Sequence, residues 1–153
     1  MTRIETHQHF VTRFCGKDAE RVTEASLDAA EDQLGILFSS AYREFVLARG
    51  AVRSHTLLDL IVDAEADLWE IASFYTPLEC VETTDSYRSA GMSERLIAIA
   101  GDSAGNVFCF DERDLLDARP DDVPVWFFDH DLDEDKQLAV SFDAWLASYF
   151  SLP

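Results

Sequence analysis

The chain has 153 residues, of which 48% are hydrophobic and 27% are charged. A chain of this length buries roughly 70% of its unfolded surface on folding, and the composition is that of an ordinary globular protein rather than a disordered one. We therefore expect a single domain over residues 1–153, with a core over about 20–150.

No apolar run reaches the ~18 residues that a membrane-spanning helix requires, and the opening segment MTRIETHQHF is too polar for a secretory signal. We therefore expect a cytoplasmic protein that contacts no membrane. Cys15, Cys80 and Cys109 are far apart and form no C-x-x-C pair. The sequence thus predicts reduced thiols, no disulfide framework and no zinc site.

The net charge of −18 is unevenly distributed along the chain. Residues 1–56 carry seven Lys/Arg and eight Asp/Glu, whereas residues 57–153 carry five and twenty-two. Such a field repels phosphate backbones, which disfavours direct nucleic-acid binding. It also attracts a basic protein partner and raises its association rate. The alternative is that the acidic surface only keeps the protein soluble.

The N-terminal segment THQHF contains two of the four histidines. His7 and His9 could face the same way on a strand, but they have no accompanying cysteine or carboxylate at the spacing of metal ligands. We therefore expect a frayed polar terminus and no metal site.

Two amphipathic helices are predicted next, because apolar residues recur there at helical spacing. The first helix begins after Thr23, a favourable N-cap residue, and ends at Gly35, a residue type common just beyond helix ends. The second helix begins after Ser39 or Ser40 and ends at Gly50.

The following segment, HTLLDLIVDAEADLWEIASFY, does not separate cleanly into helix and strand. The apolar run over 57–62 favours a buried strand, and the apolar spacing over 64–74 favours a helix. We therefore predict a strand followed by a helix. A polar stretch that ends at Glu94 leads to the next apolar run.

The central part of the chain has the periodicity of strands. Two apolar runs flank a glycine-containing loop over 96–111, which predicts a β-hairpin central to the sheet. VPVWFFDHD (123–131) predicts another strand, closed by a charged turn. Phe142, Trp145 and Tyr149 share one face of a final helix. This order predicts an α+β fold, a mainly antiparallel β-sheet with α-helices packed on one side.

The chain has three tryptophans. Trp69, Trp126 and Trp145 all fall within apolar patterns. Because a large aromatic side chain gains most from burial, we expect all three in the core.

The loop Gly101-Asp102-Ser103-Ala104-Gly105 matches G-x-S-x-G, the pattern that carries the nucleophile of many esterases. A nucleophile elbow needs a helix after its serine, but the β-branched and aromatic run VFCF follows here. The only downstream histidine is His130. We therefore predict that Ser103 is a loop residue, that the two glycines allow the positive φ values of a hairpin loop, and that the protein is not an enzyme.

The acidic segment DHDLDED (129–135) has carboxylates at alternating positions, as a calcium loop does. The required glycine is replaced by Glu134 and the final glutamate by Val140, so an EF-hand is rejected. Three interpretations remain: weak divalent binding, a solvated charged turn or an acidic contact surface.

Three segments carry a family resemblance together. LDAAEDQLGILFSSAYREFVLARGAV (27–52) contains Glu-x-x-Leu-Gly, then Tyr-x-x-Phe and a glycine. The hairpin segment 96–111 and the closing segment 123–146 follow in order. In this order the chain resembles the SUKH superfamily, which includes fungal cell-wall assembly regulators. The residues that carry the resemblance are Glu31, Leu34, Gly35, Tyr42, Phe45, Gly50, Asp111, Val125, Asp129, His130, Ala139, Ser141, Phe142 and Leu146.

The resemblance implies an α+β fold and no catalysis. For bacterial members it implies immunity proteins that bind and neutralise toxins, often nucleases, whereas fungal members regulate wall synthesis and signalling. We expect no cofactor and no metal. The alternative to an immunity protein is a general interaction or regulatory module without a toxin partner.

Charge and resemblance predict the same kind of partner, because a nuclease toxin needs basic surface to hold its nucleic acid. We therefore expect an acidic surface that binds a basic toxin domain. The residues predicted to form it are Asp121, Asp122, Asp129, Asp131, Asp133, Glu134 and Asp135.

Overall fold

The computed structural model describes residues 1–153. The six α-helices are α1 (Arg3–Phe14), α2 (Glu24–Leu34), α3 (Ser40–Arg49), α4 (Leu57–Asp63), α5 (Pro77–Ser89) and α6 (Phe142–Ala147). The five strands are β1 (Ser73–Phe74), β2 (Leu96–Gly101), β3 (Val107–Asp111), β4 (Val125–Asp129) and β5 (Glu134–Ala139). None of the helices has the length and apolar character that crossing a bilayer requires.

The sheet is a meander in the order β1-β2-β3-β4-β5, and every neighbouring pair is antiparallel. One face carries the main hydrophobic core. There Phe108 packs against Trp145 of α6, and Phe110 packs against Tyr42 of α3, with ring centroids 4.9 and 5.4 Å apart. The predicted α+β fold is confirmed, and so is the central hairpin, which β2 and β3 form.

The predictions for α2 and α3 are also confirmed. Thr23 accepts a hydrogen bond from the Ser26 backbone N–H in a capping box, and Gly35 ends α2. The Ser39 hydroxyl accepts a hydrogen bond from the Tyr42 backbone N–H at the start of α3, and Gly50 ends this helix. These ends agree with the sequence because caps satisfy backbone groups locally and need no tertiary partner.

The prediction of a frayed terminus is wrong, because α1 is a regular helix capped by Thr2. Phe10 and Phe14 lie one turn apart and are buried in the main core. His7 is also buried, and its Nε2 lies 2.7 Å from Oδ1 of Asp143 at the start of α6. A buried face at positions 7, 10 and 14 therefore docks α1 on the domain.

The predicted strand over 57–62 and helix over 64–74 are both wrong. Residues 57–63 form α4, whose inward face carries Leu57 and Ile61, one helical turn apart. The chain then forms a loop with Glu65 at φ 51° and enters β1 only at Ser73. A short apolar run does not distinguish a strand from a helix, and packing of one face selected the helix here.

Helix α5 occupies the polar stretch before β2, which the sequence left unassigned. It begins at Pro77 after a capping box between Thr76 and Glu79. It runs beside the edge of β2 beyond the two residues that β1 covers. The Thr84 hydroxyl accepts a hydrogen bond from the Ala98 backbone N–H at 2.9 Å, so α5 satisfies one backbone donor of this edge.

The second face of the sheet carries a smaller cluster, made of Met92, Leu96, Ala98, Val107, Cys109 and Phe128. Tyr87 of α5 packs against it. At the opposite edge β5 pairs only with β4, and its side chains are exposed or half-buried. This strand has no strong apolar alternation, which explains why the sequence indicated only a charged turn there.

The buried carboxylate of Glu31 connects the helical layer to the chain between β3 and β4. It accepts hydrogen bonds from the Phe38 backbone N–H at 2.8 Å, from Arg43 at 3.2 Å, and from Arg119 at 2.6 and 3.2 Å. Arg119 also donates to the Phe38 carbonyl at 2.7 Å. A buried charge is tolerated only when it is paired and hydrogen-bonded in this way.

We predict that Glu31→Gln lowers the free energy of unfolding by about 1.5–3 kcal/mol, because it weakens hydrogen bonds between charged groups. Asp32→Asn, at an exposed position beside it, is the matched control and should change stability by less than about 0.5 kcal/mol. Urea unfolding followed by circular dichroism measures both. Equal stabilities of the two variants would contradict the role given to Glu31.

Candidate protein-binding surface

The acidic turn, residues 129–135, joins β4 to β5. Its conformation is fixed from within, because Oδ1 of Asp129 accepts hydrogen bonds from the backbone N–H groups of Asp131 and Leu132 at 3.0 and 3.2 Å. Asp133 adopts φ 53°, a left-handed conformation that aspartate tolerates better than most residues. The turn therefore presents its carboxylates from a defined backbone.

The β2–β3 loop supports the acidic turn from one side. Oδ1 of buried Asn106 accepts from the His130 backbone N–H at 3.1 Å and lies 2.7 Å from its ring Nδ1. Asn106 is itself held by Asp102, whose two carboxylate oxygens accept from its backbone and side-chain N–H groups. A continuous hydrogen-bond chain thus links the loop to the turn.

The two loop glycines have different roles. Gly105 has φ 89°, as predicted, and a Cβ there would lie 3.2 Å from the His130 ring. Gly101 lies in β2 outside the positive-φ region, so the predicted positive φ is wrong there. A Cβ at Gly101 would lie 2.4 Å from the Tyr75 hydroxyl, and close approach is therefore what requires this glycine.

The structure contains no nucleophile elbow at Ser103. The residue is exposed in a turn, its backbone N–H donates to Glu70 at 2.9 Å, and strand β3 follows it. The ring Nδ1 of His130 is engaged by Asn106. The prediction that Ser103 is a loop residue is confirmed.

The three cysteines are free thiols, as predicted. Burial raises the pKa of Cys15 and of Cys80 to about 12, and it raises the pKa of Cys109 as well. Because the thiolate is the reactive form, these thiols are poor nucleophiles near neutral pH.

We predict that Ser103→Ala leaves stability and partner binding unchanged, because only the backbone of Ser103 makes a hydrogen bond. Gly105→Ala, two residues away, should lower the free energy of unfolding by about 1–2 kcal/mol through its left-handed backbone. Thermal unfolding measures stability, and a fluorophosphonate probe tests nucleophilicity. Stoichiometric labelling of Ser103 would overturn this interpretation.

Behind the acidic turn, Arg95 connects three strands. Its guanidinium donates to Asp111 of β3 at 2.9 Å and to Asp135 of β5 at 2.6 Å. It also lies over the ring of Trp126 in β4, 4.6 Å from the centroid. Arg113 donates to the same buried Asp111 at 2.6 Å. Burial opposes ionisation of Asp111, but the two arginines outweigh it and lower the pKa of this carboxyl.

We predict that Asp111→Asn lowers the free energy of unfolding at pH 7 by about 1.5–3 kcal/mol, because hydrogen bonds to a charged group are lost. Since the pKa is lowered on folding, this stabilisation is present above the ordinary value of 3.8. It is lost as the pH falls through the lower folded value. The difference between wild type and variant should therefore narrow on acidification.

Urea titrations at several pH values measure this difference. The exposed Asp117→Asn variant is the matched control, because Asp117 forms no salt bridge. A gap between wild type and Asp111→Asn that stays constant from pH 7 to the acid transition would show that the charge of Asp111 has no part in the stabilisation.

The structure divides the predicted acidic surface into two groups at opposite ends of β4. Asp121 and Asp122 precede the strand, whereas the acidic turn follows it. The five residues of β4 lie between the two groups, and a strand extends by roughly 3.3 Å per residue. They therefore form two acidic regions rather than one continuous cluster.

The first group makes contacts within the domain. Asp121 accepts two hydrogen bonds from Arg3 at 3.0 and 2.7 Å, and these bonds lower its pKa. Asp122 accepts from the backbone N–H groups of Phe142 and Asp143 and so caps α6. Burial of Asp122 raises its pKa despite these bonds. Asp122 is therefore a structural residue as well as an acidic one.

The second group is more exposed. Asp133 and Glu134 are exposed and form no salt bridge, whereas Asp131 lies 3.3 Å from Nε2 of His130.

Three residues of the acidic turn have side-chain atoms of the kind that bind metals close together. These atoms of Asp129, His130 and Asp131 lie within 4.8 Å of one another. Hydrogen bonds from backbone N–H groups already occupy Oδ1 of Asp129.

One aromatic residue of this surface was not predicted. Trp69 was expected in the core, but 38% of it is exposed, and it stacks on Phe127 beside the acidic turn. Trp126 is half-buried beneath Arg95, and Trp145 is buried as predicted. Leu132, within the turn, is 65% exposed. The sequence signal was a tryptophan inside an acidic segment, ADLWE.

The structure thus defines the class of this protein. It is an α+β domain with a five-stranded antiparallel meander and an acidic β4–β5 turn. The sequence matches the SMI1 / KNR4 family (SUKH-1) over residues 21–148. The chain therefore belongs to this family, which confirms the resemblance found in its motifs. The matched region contains the acidic turn, whereas α1 precedes it. No curated protein matches the chain.

Proposed function

We propose that this protein is a non-enzymatic immunity protein of the cytoplasm that neutralises a toxin with a basic surface, such as a nuclease. Membership of a family that includes toxin-immunity proteins supports the general role. The observation that carries the proposal is the acidic turn, where exposed carboxylates project from a backbone held by its own hydrogen bonds.

Electrostatics support a basic protein as the partner. The arginines near the turn are already paired, Arg95 with Asp111 and Asp135, and Arg113 with Asp111. Asp131, Asp133 and Glu134 therefore have no arginine or lysine partner from their own chain, and only Asp131 has a histidine partner. A nuclease must carry basic surface to hold its nucleic acid, and such a surface is complementary to this turn.

Rigidity supports binding as well. The chain from Asp102 through Asn106 to His130 holds the turn in one place. A preorganised turn loses little conformational freedom when a partner binds. Neither a cofactor nor a metal is needed for this role.

The seven predicted residues would contribute in two ways. Four residues of the acidic turn would contact the partner, namely Asp129, Asp131, Asp133 and Glu134. Asp121, Asp122 and Asp135 would add to the attractive field while they hold the fold together. Long-range attraction of this kind raises the association rate and weakens with salt.

We predict that amide substitution of Asp131, Asp133 and Glu134 together weakens binding to the cognate toxin about three- to a hundred-fold. This estimate takes about 0.2–1 kcal/mol for each exposed charge pair. The matched control replaces three exposed carboxylates of the N-terminal third, Asp18, Glu24 and Asp32. It changes the net charge equally and should alter the affinity less.

Titration calorimetry at low and high salt measures the affinity, with the product of an adjacent toxin gene as the partner. Co-expression measures protection of the cell. Equal effects of the two triple variants, or an affinity independent of salt, would contradict the proposed surface. Absence of protection would favour the alternative, a regulatory interaction module without a toxin.

A further inference from the structure

We propose that Trp69 and the carboxylates around it form a receptor for an arginine side chain of the partner. In the free protein the Lys136 side chain occupies this receptor, and the arginine of the partner would displace it. The inference rests on the proposed function insofar as that function supplies a basic partner. It adds an aromatic anchor, with a defined ligand chemistry, beside the acidic turn.

Trp69 is held as a rigid plate at the surface. One face of its ring stacks on Phe127, with centroids 4.6 Å apart and planes 20° from parallel. Its backbone carbonyl accepts a hydrogen bond from the hydroxyl of buried Tyr149. An exposed aromatic side chain fixed in this way loses little freedom on binding, which is typical of the anchors of protein interfaces.

The Trp69 ring already attracts a cation. Nζ of Lys136 lies over it, 5.5 Å from the centroid. Lys136 forms no salt bridge, whereas the four arginines in residues 57–153 all do. These arginines are Arg88, Arg95, Arg113 and Arg119. Lys136 is thus the one lysine or arginine in residues 57–153 that forms no salt bridge, and an incoming cation can displace it.

The space around Trp69 suits a long basic side chain. Two cavities of 210 and 220 Å³ adjoin it, and Trp69 and Lys136 line both. One water molecule needs only ~10–15 Å³ of such space. Acidic residues line both cavities, Asp67 in one and Asp129 and Glu134 in the other.

The same chain shows how an arginine fills a site of this composition. On the other face of the sheet, Arg95 stacks over Trp126 and donates to Asp111 and Asp135. A planar guanidinium stacks on an aromatic ring and binds carboxylates at its edge, which a lysine ammonium cannot do equally well. Arginine is therefore the expected ligand at Trp69.

The test measures binding of a fluorescein-labelled peptide of alternating arginine and glycine by anisotropy at low salt. Lys136→Ala should bind about two- to five-fold more tightly than Lys17→Ala, which corresponds to ~0.5–1 kcal/mol for one exposed cation–π contact. Lys17 is the only other lysine and is also exposed. Both variants remove one positive charge, so the change in net charge is matched, and the preference for arginine over lysine separates the receptor from the local field.

Trp69→Ala should weaken binding by a similar factor, and Trp69→Phe, which keeps an aromatic plate, should weaken it less. The matching lysine–glycine peptide should bind more weakly than the arginine peptide to the wild type but equally to Trp69→Ala. Circular dichroism verifies that the variants are folded. Because Lys136 is exposed, its variant tests the receptor even if Trp69→Ala unfolds.

Equal affinities of Lys136→Ala and Lys17→Ala, or no preference for arginine in the wild type, would overturn the receptor. Loss of peptide binding only in the triple variant of the acidic turn would also overturn it, yet would leave the proposed function intact. The proposed function is tested separately, because it is contradicted only if co-expression gives the cell no protection.

Discussion

The buried carboxylate of Glu31 is the interaction on which the arrangement of the domain depends. It holds the turn between α2 and α3 through the Phe38 N–H, and it holds the chain before β4 through Arg119. Removing Arg119 would leave the buried carboxylate with Arg43 as its only charged partner. The Glu-x-x-Leu-Gly pattern of the family therefore reads as a structural requirement, and it fixes how the strands that carry the acidic turn meet the helices.

The charge of this protein has two physical roles. Carboxylates such as Asp111 and Asp122 act inside the fold, where they pair with arginines or cap a helix. In the acidic turn, Asp135 pairs with Arg95, whereas Asp131, Asp133 and Glu134 have no arginine or lysine partner. The excess of 30 acidic over 12 basic residues therefore includes carboxylates that stabilise the fold as well as carboxylates that face the solvent.

Sequence patterns predicted those parts of the fold in which the relevant physics is local. The caps Thr23 and Ser39 satisfy neighbouring backbone groups, and strand alternation identified the β2–β3 hairpin. Prediction failed where a distant surface decides the outcome. Residues 57–63 became helical because one face packs on the core, and β5 formed because β4 offered it hydrogen-bond partners. Helix α1 was missed because its buried face consists of only a few residues.

The sequence by itself determined the family, the α+β class, the acidic excess and the failure of the esterase motif, because each depends on composition or on short-range order. Only the tertiary structure separated the carboxylates that hold the fold from those that face outward. It also placed Trp69 against Phe127 and beneath Lys136. These contacts join residues that are 58 or more positions apart in the sequence. Periodicity along the chain reports only which residues share a face of one helix or strand. Contacts between distant segments are therefore decided by the packing of the core.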